Sequence, residues 1–102
     1  MALTSILDEL QTSDTATLSN VASSATSVTI LAANTSRKGA AIYNDSTQIL
    51  YVKLGTTAST TSHTVQMAAG TYYELPAPNI YTGRIDGIWA SANGSARVTE
   101  LT

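Results

Sequence analysis

The sequence predicts an all-β fold: a small antiparallel β-sandwich or barrel of about seven strands, preceded by a short N-terminal helical or extended arm. Two observations predict it. From Ser27 onward, short runs of alternating apolar and polar residues are separated by turn chemistry rich in Gly, Asn, Asp, Ser and Pro. The chain has 102 residues with nine Leu, seven Ile, five Val, five Tyr and one Trp. That is enough for one modest core and too little for two.

A shift of composition near Ser27 divides the chain into an arm, residues 1–26, and a β body, residues 27–102. The arm carries Asp8, Glu9 and Asp14 and no basic residue. Leu3, Ile6, Leu7 and Leu10 fall at i, i+3, i+4 and i+7, one face of a helix, and Ser5 with Asp8 has the spacing of a capping box. Two or three turns of helix do not persist alone in water, so this face requires a partner surface. Residues 12–26 are small and polar and read as an extended tether.

In the body the first run is 27–31. The second, 40–44, alternates Ile42 with Ala41 and Tyr43. A turn at 45–48 leads to 49–54, where Leu50, Val52 and Leu54 share one face and Tyr51 and Lys53 the other. These two runs read as a hairpin with a short loop. A Ser/Thr loop follows Gly55, and 63–67 resumes the alternation with Val65 and Met67. The run 72–75 can turn only one of Tyr72 and Tyr73 inward, and Pro76 and Pro78 end it. Gly87 within 80–90 marks a bulge in this reading, because Ile85 and Ile88 otherwise face opposite sides. Trp89 is left pointing either to the core or to an edge. Asn93-Gly94 turns the chain into a closing run, 96–101.

The composition excludes several chemistries. With no cysteine there is no disulfide framework, thiolate metal site or Cys nucleophile. A net charge of −2 with five scattered basic residues gives no stripe for nucleic acid. No apolar run is long enough for a membrane span, and the N-terminus lacks signal-peptide character. His63, the one histidine, reads as an exposed strand-end residue rather than a general base. Glu74, Asp86 and Glu100 read as carboxylates on solvated strand faces rather than as a catalytic pair. No constellation for catalysis, metal or cofactor is found, and the expectation is that the protein is not an enzyme. If Ile42, Leu50 and Val52 point inward, Tyr43 and Tyr51 point outward on neighbouring strands. They then form a sugar-stacking platform, a subunit interface or a plain cross-strand pair.

The segments Arg37-Lys38-Gly39-Ala40-Ala41-Ile42-Tyr43-Asn44-Asp45-Ser46 and Leu50-Tyr51-Val52-Lys53-Leu54-Gly55 resemble small β modules in structural proteins of tailed bacteriophages. Ala69-Gly70-Thr71-Tyr72-Tyr73-Glu74 and Tyr81-Thr82-Gly83-Arg84-Ile85-Asp86-Gly87-Ile88-Trp89-Ala90 share the likeness, which covers the body and not the arm. The resemblance implies a virion component made in the host cytoplasm, of the capsid decoration (cement) type. The implied partners are the major capsid protein and further copies of the chain, a trimer being favoured; neither nucleic acid nor membrane is implied. It transfers no catalytic residue. Leu3, Ile6, Leu7 and Leu10 then serve as a contact either to the capsid or within the oligomer, with Tyr43 and Tyr51 as further contact residues. The alternative is a carbohydrate- or receptor-binding module of a tail or fibre that stacks sugars on Tyr43 and Tyr51.

Overall fold

Alternation dictates the strands, and pairing sorts them into two layers. The computed structural model describes residues 12–102, so the expected arm helix and its residues Leu3, Ile6, Leu7 and Leu10 lie outside the described residues. The strands are β1 (Ala16–Ala22), β2 (Val28–Leu31), β3 (Gly39–Asp45), β4 (Leu50–Leu54), β5 (Val65–Met67), β6 (Tyr72–Glu74), β7 (Ile85–Trp89) and β8 (Ser95–Leu101). Every pairing between them is antiparallel. They form two four-stranded sheets, ordered β1-β8-β3-β6 and β2-β7-β4-β5. The fold is a β-sandwich, which settles the choice between sandwich and barrel.

The core is built from the inward sets the alternation defines. Ala40 and Ile42 of β3 and Ala96 and Val98 of β8 face Leu50 and Val52 of β4, Met67 of β5 and Ile85 and Trp89 of β7. Ile30 and Leu75 complete it. Trp89 is fully buried, so its direction is inward. Tyr73 packs half-buried against the core and its neighbour Tyr72 points out, as one-in-one-out alternation requires. Burial pushes the Tyr73 phenol above its ordinary pKa.

Four expectations are corrected. The stretch 12–26 is not wholly a tether: β1 pairs with β8 residue for residue from Ala16↔Leu101 to Ala22↔Ser95. Bonds from Thr102 N to Thr15 O (2.9 Å) and from Ser23 N to Gly94 O (3.1 Å) extend that ladder at both ends. The sandwich therefore begins by residue 16, not 27. The runs containing Tyr43 and Tyr51 do not form a hairpin, because β3 and β4 belong to different sheets.

The short 46–49 connection instead arches between the layers around Asn44, which is fully buried. Its Nδ2 donates to Gln48 O (2.8 Å), Met67 O (3.2 Å) and Ala68 O (3.3 Å). Its Oδ1 accepts from Ser46 Oγ (2.7 Å) and Trp89 Nε1 (3.3 Å). One amide thus satisfies backbone at two inter-sheet crossings, which an apolar residue of that size cannot do.

The expected bulge at Gly87 is absent, because β4 and β7 pair without interruption from Leu50↔Trp89 to Leu54↔Ile85. The register shift lies instead on β2, between Thr29 and Leu31. Gly87 serves packing: a Cβ there would lie 2.9 Å from Ile30 Cγ1 and 3.1 Å from Leu50 Cδ1.

The fourth correction concerns charge. Asp86, expected on a solvated face, is buried, and Glu100, expected likewise, turns toward the inner face with its side chain only 14% exposed. Arg37 is buried as well, its side chain 0% exposed. It donates from Nε to Glu100 Oε2 (2.8 Å), from Nη1 to Tyr81 O and Gly83 O (2.9 Å each) and from Nη2 to Ala32 O (2.6 Å). The guanidinium fork fastens two loops to β8. Every buried side-chain polar atom among the described residues has a hydrogen-bond partner.

Candidate functional site

The two outer faces of the sandwich differ in kind. On the β2-β7-β4-β5 sheet, Thr29, Asp86 and Lys53 lie in one cross-strand row and Ile88, Tyr51 and Gln66 in the next. The loop 55–64 folds over this face. His63 packs its ring on Tyr51 (centroids 4.9 Å apart, planes at 58°) and its Nδ1 lies 3.0 Å from Ser59 O. Lys53 Nζ donates to Ser62 Oγ (2.9 Å). Asp86 accepts from Thr57 N (2.6 Å) and Arg84 Nε (2.7 Å), and Ala58 N donates to Ser27 Oγ (2.9 Å).

Thr57 takes a φ of 60°, in the left-handed region disfavoured by β-branched residues, and the Asp86 carboxylate holds its N–H there. Burial pushes the Asp86 carboxyl upward. The hydrogen bond from Arg84 outweighs this, with help from the Thr57 N–H, the Arg84 charge and Ser27, and leaves the group below its ordinary pKa. Asp86, the carboxylate expected in solvent, thus anchors the covering loop.

The outer face of the β1-β8-β3-β6 sheet has no such cover among the described residues. The register aligns Leu18, Thr99, Ala41 and Glu74 in one row and Asn20, Arg97, Tyr43 and Tyr72 in the next. Leu101 lies opposite Gly39 in a third row. Among the described residues, the large apolar side chains most exposed to solvent are Leu18 (74%), Tyr72 (67%), Tyr43 (41%) and Leu101 (36%), and all four lie on this face. Its charges are few, and two of them pair: Arg97 Nε donates to Asp45 Oδ2 at 2.7 Å. A broad face of tyrosine, leucine, threonine and alanine, with the Arg97–Asp45 pair within it and Glu74 on its edge strand, has the composition of a protein contact surface.

The structure separates two expected site residues and supplies a different pair. Tyr43 and Tyr51 sit on opposite outer faces of the sandwich, and Tyr51 is partly covered by His63. The tyrosine directly opposite Tyr43 is Tyr72. Alternation already placed Tyr43 outward against Ile42. Its partner was hidden because β3 pairs with β6 across two intervening strands of the other sheet.

Among the described residues no group of three or more His, Cys, Asp or Glu is placed to hold a metal ion, and no helix is long and apolar enough to cross a membrane. No family model, curated protein or solved structure matches this chain.

Proposed function

We propose that this protein is a structural component of a tailed-phage virion, of the capsid decoration type, that binds the head shell as an oligomer and stabilises it. The observation that carries the reading is the asymmetry of the sandwich. One outer face is partly covered by its own loop, and the other leaves Leu18, Tyr43, Tyr72 and Leu101 exposed with no such cover among the described residues. Leu3, Ile6, Leu7 and Leu10 precede in sequence β1, the strand that carries Leu18. Arm and face together are the proposed contacts, each weak alone and made strong by a repetitive lattice.

The test is co-sedimentation of the full chain with undecorated phage heads, beside a variant lacking residues 1–12 and a Leu18→Ser/Tyr72→Ala variant. The wild type is expected to pellet with heads, and both variants to lose occupancy while keeping the circular dichroism of the folded body. Unchanged occupancy in both variants, or a wild type that does not bind heads, overturns the reading.

A second reading, a carbohydrate- or receptor-binding module, is favoured by the cross-strand pair Tyr43 and Tyr72. Two tyrosines directly opposite each other on an open sheet face offer a stacking platform. It requires saturable binding in a glycan titration that Tyr72→Ala abolishes.

A further inference from the structure

A sandwich of two open sheets has four edge strands, and each presents unpaired backbone donors and acceptors to any other extended chain. Three of the four here carry protection. β5 and β6 are three residues long, and β6 carries Glu74 and is followed by Pro76. β2 has four residues and an irregular register. The fourth edge, β1, has seven residues in unbroken register with β8. Its sequence, Ala-Thr-Leu-Ser-Asn-Val-Ala, contains no charge, no proline and no glycine, and six of its seven residues are exposed. On its free side roughly half of those residues direct their N–H and C=O groups away from β8, with no partner among the described residues.

We propose that β1 pairs with β1 of a second copy, antiparallel about a twofold axis through Ser19, joining the two four-stranded sheets into one of eight strands. Three features select a second copy over a different protein. The strand is uncharged, so self-pairing brings no like charges together. Its pattern is self-complementary about Ser19: Leu18 falls opposite Asn20 of the second copy on the outer face, Thr17 opposite Val21 on the inner face, and Ala16 opposite Ala22 at each end. The nearest charge, Asp14, falls opposite Ser24 of the second copy and meets no carboxylate.

Such a contact is isologous and closes at two subunits. It also makes the exposed rows continuous across the pair, so Leu18, Tyr43 and Tyr72 of both copies lie on one surface. The inference rests on the fold and not on the virion reading. A chain that binds heads without β1 pairing leaves that reading intact and refutes this one.

The chain lacks cysteine, so single thiols report the register. Full-length wild type is measured by light scattering and sedimentation velocity over a dilution series, beside L18E/N20E and L18K/N20E. In the first variant, carboxylate faces carboxylate twice across the axis. In the second, ammonium faces carboxylate twice, and the carboxylate introduced at position 20 stays beside Arg97 of its own chain. Trp89 fluorescence checks that each variant is folded. The expected result is a reversible dimer, lost in L18E/N20E at concentrations where wild type is paired and regained in L18K/N20E. Under mild oxidation, Ser19→Cys should give covalent dimer in high yield while Thr60→Cys, on the far loop, does not. A wild type that stays monomeric, an oligomer indifferent to both charge variants, or equal cross-linking at positions 19 and 60 each overturns the proposal.

Discussion

Arg37→Met removes a buried cation and keeps most of its volume, and the structure sets the size of the effect. Four short hydrogen bonds leave the guanidinium: one to Glu100 and three to the carbonyls of Ala32, Tyr81 and Gly83. The Glu100 side chain, only 14% exposed, cannot turn freely to water. Breaking a buried ion pair by deleting one partner costs about 3–5 kcal/mol, because the remaining charge stays desolvated.

A chain of this size has roughly 5–15 kcal/mol in total, so the variant loses about a fifth or more of its stability. The same loss lowers Tm by roughly 12 °C or more. The internal control is Arg97→Met. Arg97 and Asp45 meet at 2.7 Å, as close as Arg37 and Glu100, but with side chains 58% and 43% exposed. Its expected cost is below about 1 kcal/mol. Urea unfolding followed by the fluorescence of Trp89, the single tryptophan, measures both. If the two variants cost the same, burial does not set the value of the clamp and the reasoning fails. Replacing the acid too, as in R37M/E100L, should cost less than the sum of the single changes.

Three further predictions concern the covering loop, the core and the turn glycines. Asp86 has a folded-state pKa below its unfolded one; its stabilisation is complete above the ordinary carboxylate range and is lost as pH falls through that range toward the folded value. Urea midpoints measured from neutral to strongly acidic pH should decline on acidification, and Asp86→Asn should be less stable at neutral pH and flatter on the acid side; parallel curves would falsify this assignment. Gly87→Ala should cost about 1–3 kcal/mol by overpacking against Ile30 and Leu50. Gly94→Ala should cost more than Gly70→Ala in the same assay. Both glycines have positive φ, but a Cβ at 94 meets the Asp45 carbonyl whereas one at 70 meets open space.

What the sequence disclosed follows from how each residue's environment is encoded. β4 and β5 were legible because Leu50, Val52, Leu54, Val65 and Met67 alternate with polar residues, which is the imprint of one buried and one wet face. β1 was not, because an edge strand with six of its seven residues exposed leaves almost no apolar imprint. The β3 to β4 connection has hairpin length, and only Asn44, reaching Gln48 and the 67–68 backbone, reveals that it crosses between layers.

Charged residues are most often solvated, and that prior misplaced Asp86. Arg37 reaches a carboxylate 63 positions away and carbonyls 44 and 46 away, separations no local pattern records. Of the open face, the outward turn of Tyr43 was readable from parity alone. Tyr72 as its neighbour required the sheet order.

The placement of β8 constrains when the molecule can fold. Last of the eight strands in chain order, it lies inside its sheet between β1 and β3. Until it leaves the ribosome, β1 has no neighbour and β3 has only the short β6. Of all strand pairs adjacent in sequence, only β4 with β5 are bonded neighbours. A nascent chain can therefore form one local hairpin early, while half the sandwich waits for the final strand. Chains truncated before Ser95 should therefore be the species that chaperones hold.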